Sequence, residues 1–118
     1  MNRWRDLYCG EVGSERVAET VSVAGWVARR RDHGGLIFID LRDHTGIIQL
    51  VVNPDRAPEA AKVAHGIRSE FVVHARGDVV RRAPEAVNPN IPTGEVEIQV
   101  GELEIVARSE PLPFQLDD

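Results

Sequence analysis

Cysteine is nearly missing from these 118 residues. A single cysteine, Cys9, excludes an internal disulfide and cannot by itself build a zinc site, so a reducing cytoplasm is the expected setting. Long apolar runs are missing too, which leaves no candidate membrane span. The opening MNRWRDLYCG has no apolar core for a secretory signal. Positive charge is not in excess: the net charge of -5 argues against an indiscriminate electrostatic grip on nucleic acid. Lysine is almost absent. Of the 14 basic residues only Lys62 is a lysine, and three arginines stand together at Arg29, Arg30 and Arg31. Arginine offers a planar fork that suits phosphates and bases and stacks on rings, where lysine is a point charge. A GC-rich genome would raise arginine usage generally, but it would not gather three in a row. What is present, 42% hydrophobic and 28% charged residues, is the mix of one soluble globular domain with a single core.

Alternation of apolar residues lays out the strands. Val21, Val23 and Val27, set against Ala24 and Trp26, predict a first strand over Thr20 to Arg31. Asp32-His33-Gly34-Gly35 reads as a turn, because paired glycines adopt positive φ at little cost. A second strand follows over Leu36 to Arg42, a turn over Asp43 to Gly46, and a third strand over Ile47 to Val52. Asn53-Pro54-Asp55 breaks the sheet. Pro58 to Arg68 then carries Ala60, Val63, Ala64 and Ile67 at helical spacing behind a first-turn proline. Phe71 to Arg82 reads as a fourth strand, Ala83 to Gly94 as a long loop, and Glu95 to Ala107 as a fifth strand kinked at Gly101. Five strands with one helix between the third and fourth is the order of the OB-fold, an all-β Greek-key barrel. An SH3-like barrel, the nearest alternative, would not normally place a helix there. The barrel domain is expected over residues 1–108, and the proline-punctuated SEPLPFQLDD at 109–118 reads as a linker.

Period-two alternation also sorts side chains by face. In the second strand Ile37, Ile39 and Leu41 form the core side, which leaves Phe38 on the polar side with Leu36, Asp40 and Arg42. In the third strand Gln49 opposes Ile48 and Leu50. In the fifth, Glu95, Glu97 and Gln99 oppose Val96, Ile98 and Val100. Singly, each outward residue has an ordinary explanation: a ring under a loop, a solvated amide, the polar half of a strand. Together they have a specific use. An outward ring stacks a splayed base, worth roughly 1–3 kcal/mol, while amides and carboxylates read hydrogen-bonding edges and arginines hold phosphate or base. Arg29, Arg30 and Arg31 cannot all point one way, and alternation leaves open which of them join the ring.

Catalytic patterns are lacking. His33, His44, His65 and His74 lie far apart without metal-ligand spacing, and no GxSxG, P-loop or GxGxxG occurs. Asp40-Leu41-Arg42-Asp43 reads as a salt-bridge cluster at the end of a strand.

In YCGEV, GWVARRRDHGGLIFIDLRDHTGIIQLVV, NPNIPTGEVEIQV and PLPFQL, in that order, the chain resembles the N-terminal anticodon-binding domain of bacterial aspartyl-tRNA synthetase, a class IIb aminoacyl-tRNA synthetase. The sister asparaginyl and lysyl enzymes share a similar barrel, but RRRDHGGLIFIDLRD and TGEVEI look aspartyl and bacterial. The resemblance implies that Phe38 stacks on the middle anticodon base, a uridine, that Gln49 contacts the same base, and that Glu97 helps recognise an anticodon edge. Arg29 or Arg31 would hold the strand, Arg31 being preferred. His33 occupies a position that tends to be leucine in enzymes confined to the aspartate tRNA and histidine in those that also charge the asparagine tRNA. It therefore suggests a non-discriminating module, the alternative being a solvated turn residue without a role. Asn88, in the long loop, would be a further contact.

The implied partners are tRNA, for aspartate and also asparagine, and the catalytic domain of a homodimeric ligase. The family's large catalytic domain and bacterial insertion domain are not in this sequence, so ATP and magnesium belong to the full-length enzyme and no cofactor is expected in this chain. Two other readings remain: a stand-alone OB-fold that binds single strands without sequence preference, which would want several stacking rings, and a protein-interaction domain.

Overall fold

A tight turn at Gly34 and Gly35, with φ of 60° and 83°, folds strand β1 (Thr20–His33) back on β2 (Leu36–Asp43). Asp32 and His33, expected in the turn, instead extend β1 because they pair with Ile37 and Leu36. A second turn leads into β3 (Gly46–Val52). The computed structural model describes residues 7–108; the expected linker at 109–118 lies outside the described residues. Helix α1 (Pro58–His65), β4 (Val72–Arg81) and β5 (Val96–Ala107) complete the elements, with short 3-10 turns at Cys9–Glu11, Ser14–Arg16 and Pro84–Ala86. Among the described residues no helix is long and apolar enough to cross a membrane.

The strands close into a barrel in the order β1-β2-β3-β5-β4. This is the five-stranded OB-fold expected from the sequence, with its helix between β3 and β4. β1, β2 and β3 form an antiparallel meander, and β4 returns to close the circle between β5 and β1. The β3–β5 contact is parallel and short, with only Leu50↔Ile98 and Val51↔Gln99 in register. Gly77 sits where β4 and β5 press together: a Cβ there would collide with the Gln99 carbonyl oxygen. The expected kink at Gly101 is a bulge, the residue left over as pairing steps from Arg76↔Glu102 to Gly77↔Val100.

The core holds the three sets read from alternation: Ile37, Ile39 and Leu41; Ile48, Leu50 and Val52; Val96, Ile98 and Val100. Ala60, Ala61 and Ala64 of α1 join them, as does Ile67 just beyond it. The helix stops three residues earlier than expected, at His65, where Gly66 caps it. The turn at Asp43 corrects a second expectation. Its carboxylate accepts bonds from the Thr45 amide (2.8 Å), the Thr45 hydroxyl (2.6 Å) and the Cys9 amide (2.7 Å). Asp43 thus fixes the β2–β3 turn and the incoming segment, and no salt bridge forms within Asp40–Asp43.

Candidate nucleic-acid interface

A bulge decides where the arginines point. Register steps from Val27↔Leu41 to Arg29↔Asp40, so Ala28 is an extra residue in β1. Without it Arg29 would follow the inward phase of Val27. With it, Arg29, Arg31 and His33 come to face the same side as their partners Asp40, Phe38 and Leu36. Arg30 takes the other side. Its guanidinium donates to the His65 and Ile67 carbonyls at 3.0 and 3.1 Å and pairs with Asp32 at 3.0 Å. Arg30 therefore ties the β1–β2 arm to the end of α1, where helix carbonyls lack partners. The hydrogen bond and charge of Arg30 outweigh desolvation and hold the Asp32 carboxyl below its ordinary range.

Two rows of side chains cross the outer face. One runs Arg31, Phe38, Val51, Gln99 through β1, β2, β3 and β5. The other runs Arg29, Asp40, Gln49, and is continued by Glu97 on β5. Phe38 is on the outer face as expected, yet it is not bare. It is half-buried, and the Arg31 guanidinium lies 5.1 Å from its ring centroid. Gln49 is more covered still, only 4% exposed, because both ends of its amide are engaged. Arg31 donates to its oxygen at 3.3 Å, and its nitrogen donates to Glu97 at 2.9 Å. Burial raises the Glu97 carboxyl above the ordinary glutamate range, with the Gln49 hydrogen bond and the Arg82 charge opposing.

These residues border an open cleft of about 590 Å3 that includes Arg29, Arg31, His33, Phe38 and Gln49. Glu97 meets this wall through Gln49, so the structure brings all six expected residues into one neighbourhood. His33 is exposed at the rim. The far bank is the loop after β4, which contributes Glu85, Ala86, Asn88 and Ile91. Asn88 bends that loop: its side-chain oxygen accepts the Asn90 amide at 3.0 Å, and its own amide donates to the Gly94 carbonyl.

Two cleft residues escaped the sequence reading. Asp40 lines the cleft and is not part of a strand-end salt-bridge cluster, in keeping with its place on the outer face two residues from Phe38. Arg82 read as the end of a strand. It is 9% exposed, donates to the carbonyls of Val96 (2.9 Å) and Ala86 (3.2 Å), and so anchors the loop to β5. Burial lowers its pKa while Glu97 and Asp40 oppose the shift, leaving a cation set against two carboxylates at the cleft floor. An arginine directly before a proline-rich loop was the available signal. Among the described residues no three His, Cys, Asp or Glu side chains gather as a metal ligand set. The arrangement can stack a ring, donate from arginine and accept at carboxylate.

Residues 21–106 match a tRNA anticodon family described as an OB-fold nucleic acid binding domain. The aspartate–tRNA(Asp/Asn) ligase of Thermodesulfovibrio yellowstonii is 53% identical over 115 residues, which is 98% of this chain and 19% of the relative. The aspartate–tRNA ligase of Geobacillus kaustophilus is 54% identical over 114 residues, 97% of this chain and 19% of the relative. The chain thus spans about a fifth of the length of the curated relatives it matches. Among solved structures, asparaginyl-tRNA synthetase from Pyrococcus horikoshii superposes with a TM-score of 0.73 at 32% identity, covering 91% of this chain and 23% of the other. An OBody bound to hen egg-white lysozyme superposes at 0.77 over 92% of this chain and 99% of its own; at 23% identity it shows the fold alone.

Proposed function

Because the chain belongs to the tRNA anticodon family of OB-fold nucleic acid binding domains, we propose that its arginine-lined cleft reads the anticodon of an aspartate tRNA. The observation that carries the reading is the Arg31–Phe38 contact beside Gln49 and Glu97. A cation over an exposed ring is worth about 0.5–1 kcal/mol, and a stacked base roughly 1–3 kcal/mol. An entering base therefore displaces Arg31 from the ring and frees its guanidinium for the phosphate backbone. The same movement releases the Gln49 oxygen to meet the base edge, while Glu97 keeps the amide oriented. Arg29 holds the strand at the exposed end of the row, and Asn88 approaches from the loop.

In this reading the chain is the anticodon-reading part of an aspartate–tRNA ligase. Aspartate activation with ATP and magnesium belongs to a catalytic domain elsewhere in that homodimeric enzyme. His33, at the rim, favours a module that accepts both the aspartate and asparagine anticodons, which differ in one base. Relatives of either specificity are nearly equally similar, 53% and 54% identical, so this choice rests on His33 rather than on overall likeness.

The test is titration of the chain with stem-loops carrying the aspartate anticodon, the asparagine anticodon and a changed middle base. Similar binding of the first two and marked loss with the third is expected. Equal binding of all three would defeat anticodon reading; a clear preference for the aspartate stem-loop would defeat only the relaxed choice.

A further inference from the structure

Trp26 stands on the outer wall of β1 but does not border the cleft. Its register partners place it in a further row: Ala107, Val72, Trp26 and Arg42 lie side by side on β5, β4, β1 and β2. Trp26, Val72 and Ala107 are half-buried, and Arg42 is exposed. Val106, the extra residue where β5 pairing steps from Val73↔Ile105 to Val72↔Ala107, is 43% exposed. The row is thus an apolar strip that runs two strand spacings, about 10 Å, from Ala107 to Trp26 and then meets an arginine.

Strand β5 delivers the chain to the start of this strip. Its last residue is Ala107, and the sequence continues Arg108-Ser109-Glu110-Pro111-Leu112-Pro113-Phe114. Pro111 and Pro113 fix φ near about −65° and offer no N–H to a sheet edge. That suits an extended proline-rich segment laid on an aromatic ring rather than a sixth strand. The stretch from Arg108 to Phe114 can reach about 20 Å when extended, twice the distance to Trp26. Chemistry follows in matching order: Leu112 and Phe114 come level with the apolar strip, and Asp117 and Asp118 come next, toward Arg42. An RNA strand fits this wall less well, because Glu102 and Glu104 are exposed at the neighbouring outward positions of β5.

We propose that the Trp26 strip seats residues 111–114 of the same chain, with Leu112 and Phe114 against Val72 and Trp26. This contact fixes the direction in which the chain leaves the barrel. Trp26 and Arg29 share β1, so the exit is set against the strand that aims the arginines. In a protein as long as the curated relatives, such a seat holds the cleft at one angle to whatever follows.

The test is nuclear magnetic resonance of the full 118-residue chain, with Phe114→Ala and Phe114→Leu alongside. Nuclear Overhauser contacts from the Phe114 ring to the Trp26 indole and the Val72 methyls are expected, independent of protein concentration. Phe114→Ala should remove them and shift the Trp26 indole resonance, and Phe114→Leu should restore part of that shift. Unchanged amide resonances at Ile39, Leu50 and Ile98 certify the barrel in each variant. Missing contacts in the unsubstituted chain would overturn the proposal. Contacts that grow with concentration would do the same, since a second copy would then supply the ring. So would a Trp26 resonance that moves on adding stem-loop RNA but not with Phe114→Ala, since the strip would then belong to RNA.

Discussion

Phe38, Glu97 and Asp43 show how single side chains act through their surroundings. Phe38→Ala removes the stacking surface and should weaken stem-loop binding roughly 5- to 150-fold with little change in melting temperature, checked by fluorescence titration and thermal scans. Glu97 and Asp43 are shifted in opposite directions, so acid removes their contributions in different pH windows. Burial raises the Glu97 carboxyl; if it must be ionised to accept a base hydrogen, affinity falls as pH drops through a value above the ordinary glutamate range. Glu97→Gln should flatten that profile. For Asp43, burial opposes ionisation, but the hydrogen bonds from Thr45 and Cys9 outweigh it and hold the carboxyl low. Its contribution to stability is present above the unfolded pKa and is lost as pH falls through the folded one. Asp43→Asn should cost about 1–2 kcal/mol at neutral pH, and less in acid, in denaturant titrations. Alternation placed Phe38 and Gln49 on the outer face, but it is blind to neighbours in space. The Arg31 cover on the ring and the sealing of Gln49 by Arg31 and Glu97 arise from strands far apart in sequence.

At the level of elements, the β1–β2 arm is what aims the arginines. Two devices set it: the Ala28 bulge, which changes the phase of β1, and Arg30, which pins the arm to α1. Arg30→Met leaves two carbonyls without their donor and should cost about 1–3 kcal/mol. Hydrogen exchange should quicken across residues 29–38 before it does in β4, and stem-loop affinity should drop although Arg30 faces away from the cleft. Strand and helix order was legible because each segment keeps a clean period. The bulge was not, since one added alanine in VARRR leaves the composition of the strand unchanged and shows only in the partner's register. For the same reason the choice between Arg29 and Arg31 stayed open: both face the cleft.

For the whole molecule, an acidic chain carries a locally basic cleft. Long-range attraction to RNA is weak, so affinity must come from short-range contacts at the rows. Arg29→Gln should reduce the slope of log K against log salt by about 0.7, whereas Phe38→Leu should lower affinity and leave the slope alone. The fold was recoverable from strand order because the OB topology needs only the sequence of elements. The register of the closing seam was not, because it depends on where β3 and β5 touch. That touch is slight, two registered pairs against the long β4–β5 ladder, and it lies directly beneath Gln49 and Glu97. An RNA that grips both strands therefore works as a clasp across the barrel's thinnest join. Occupancy should slow amide exchange at Leu50, Val51 and Ile98 more than anywhere else in the sheet, making the reading surface the place where ligand and architecture hold each other shut.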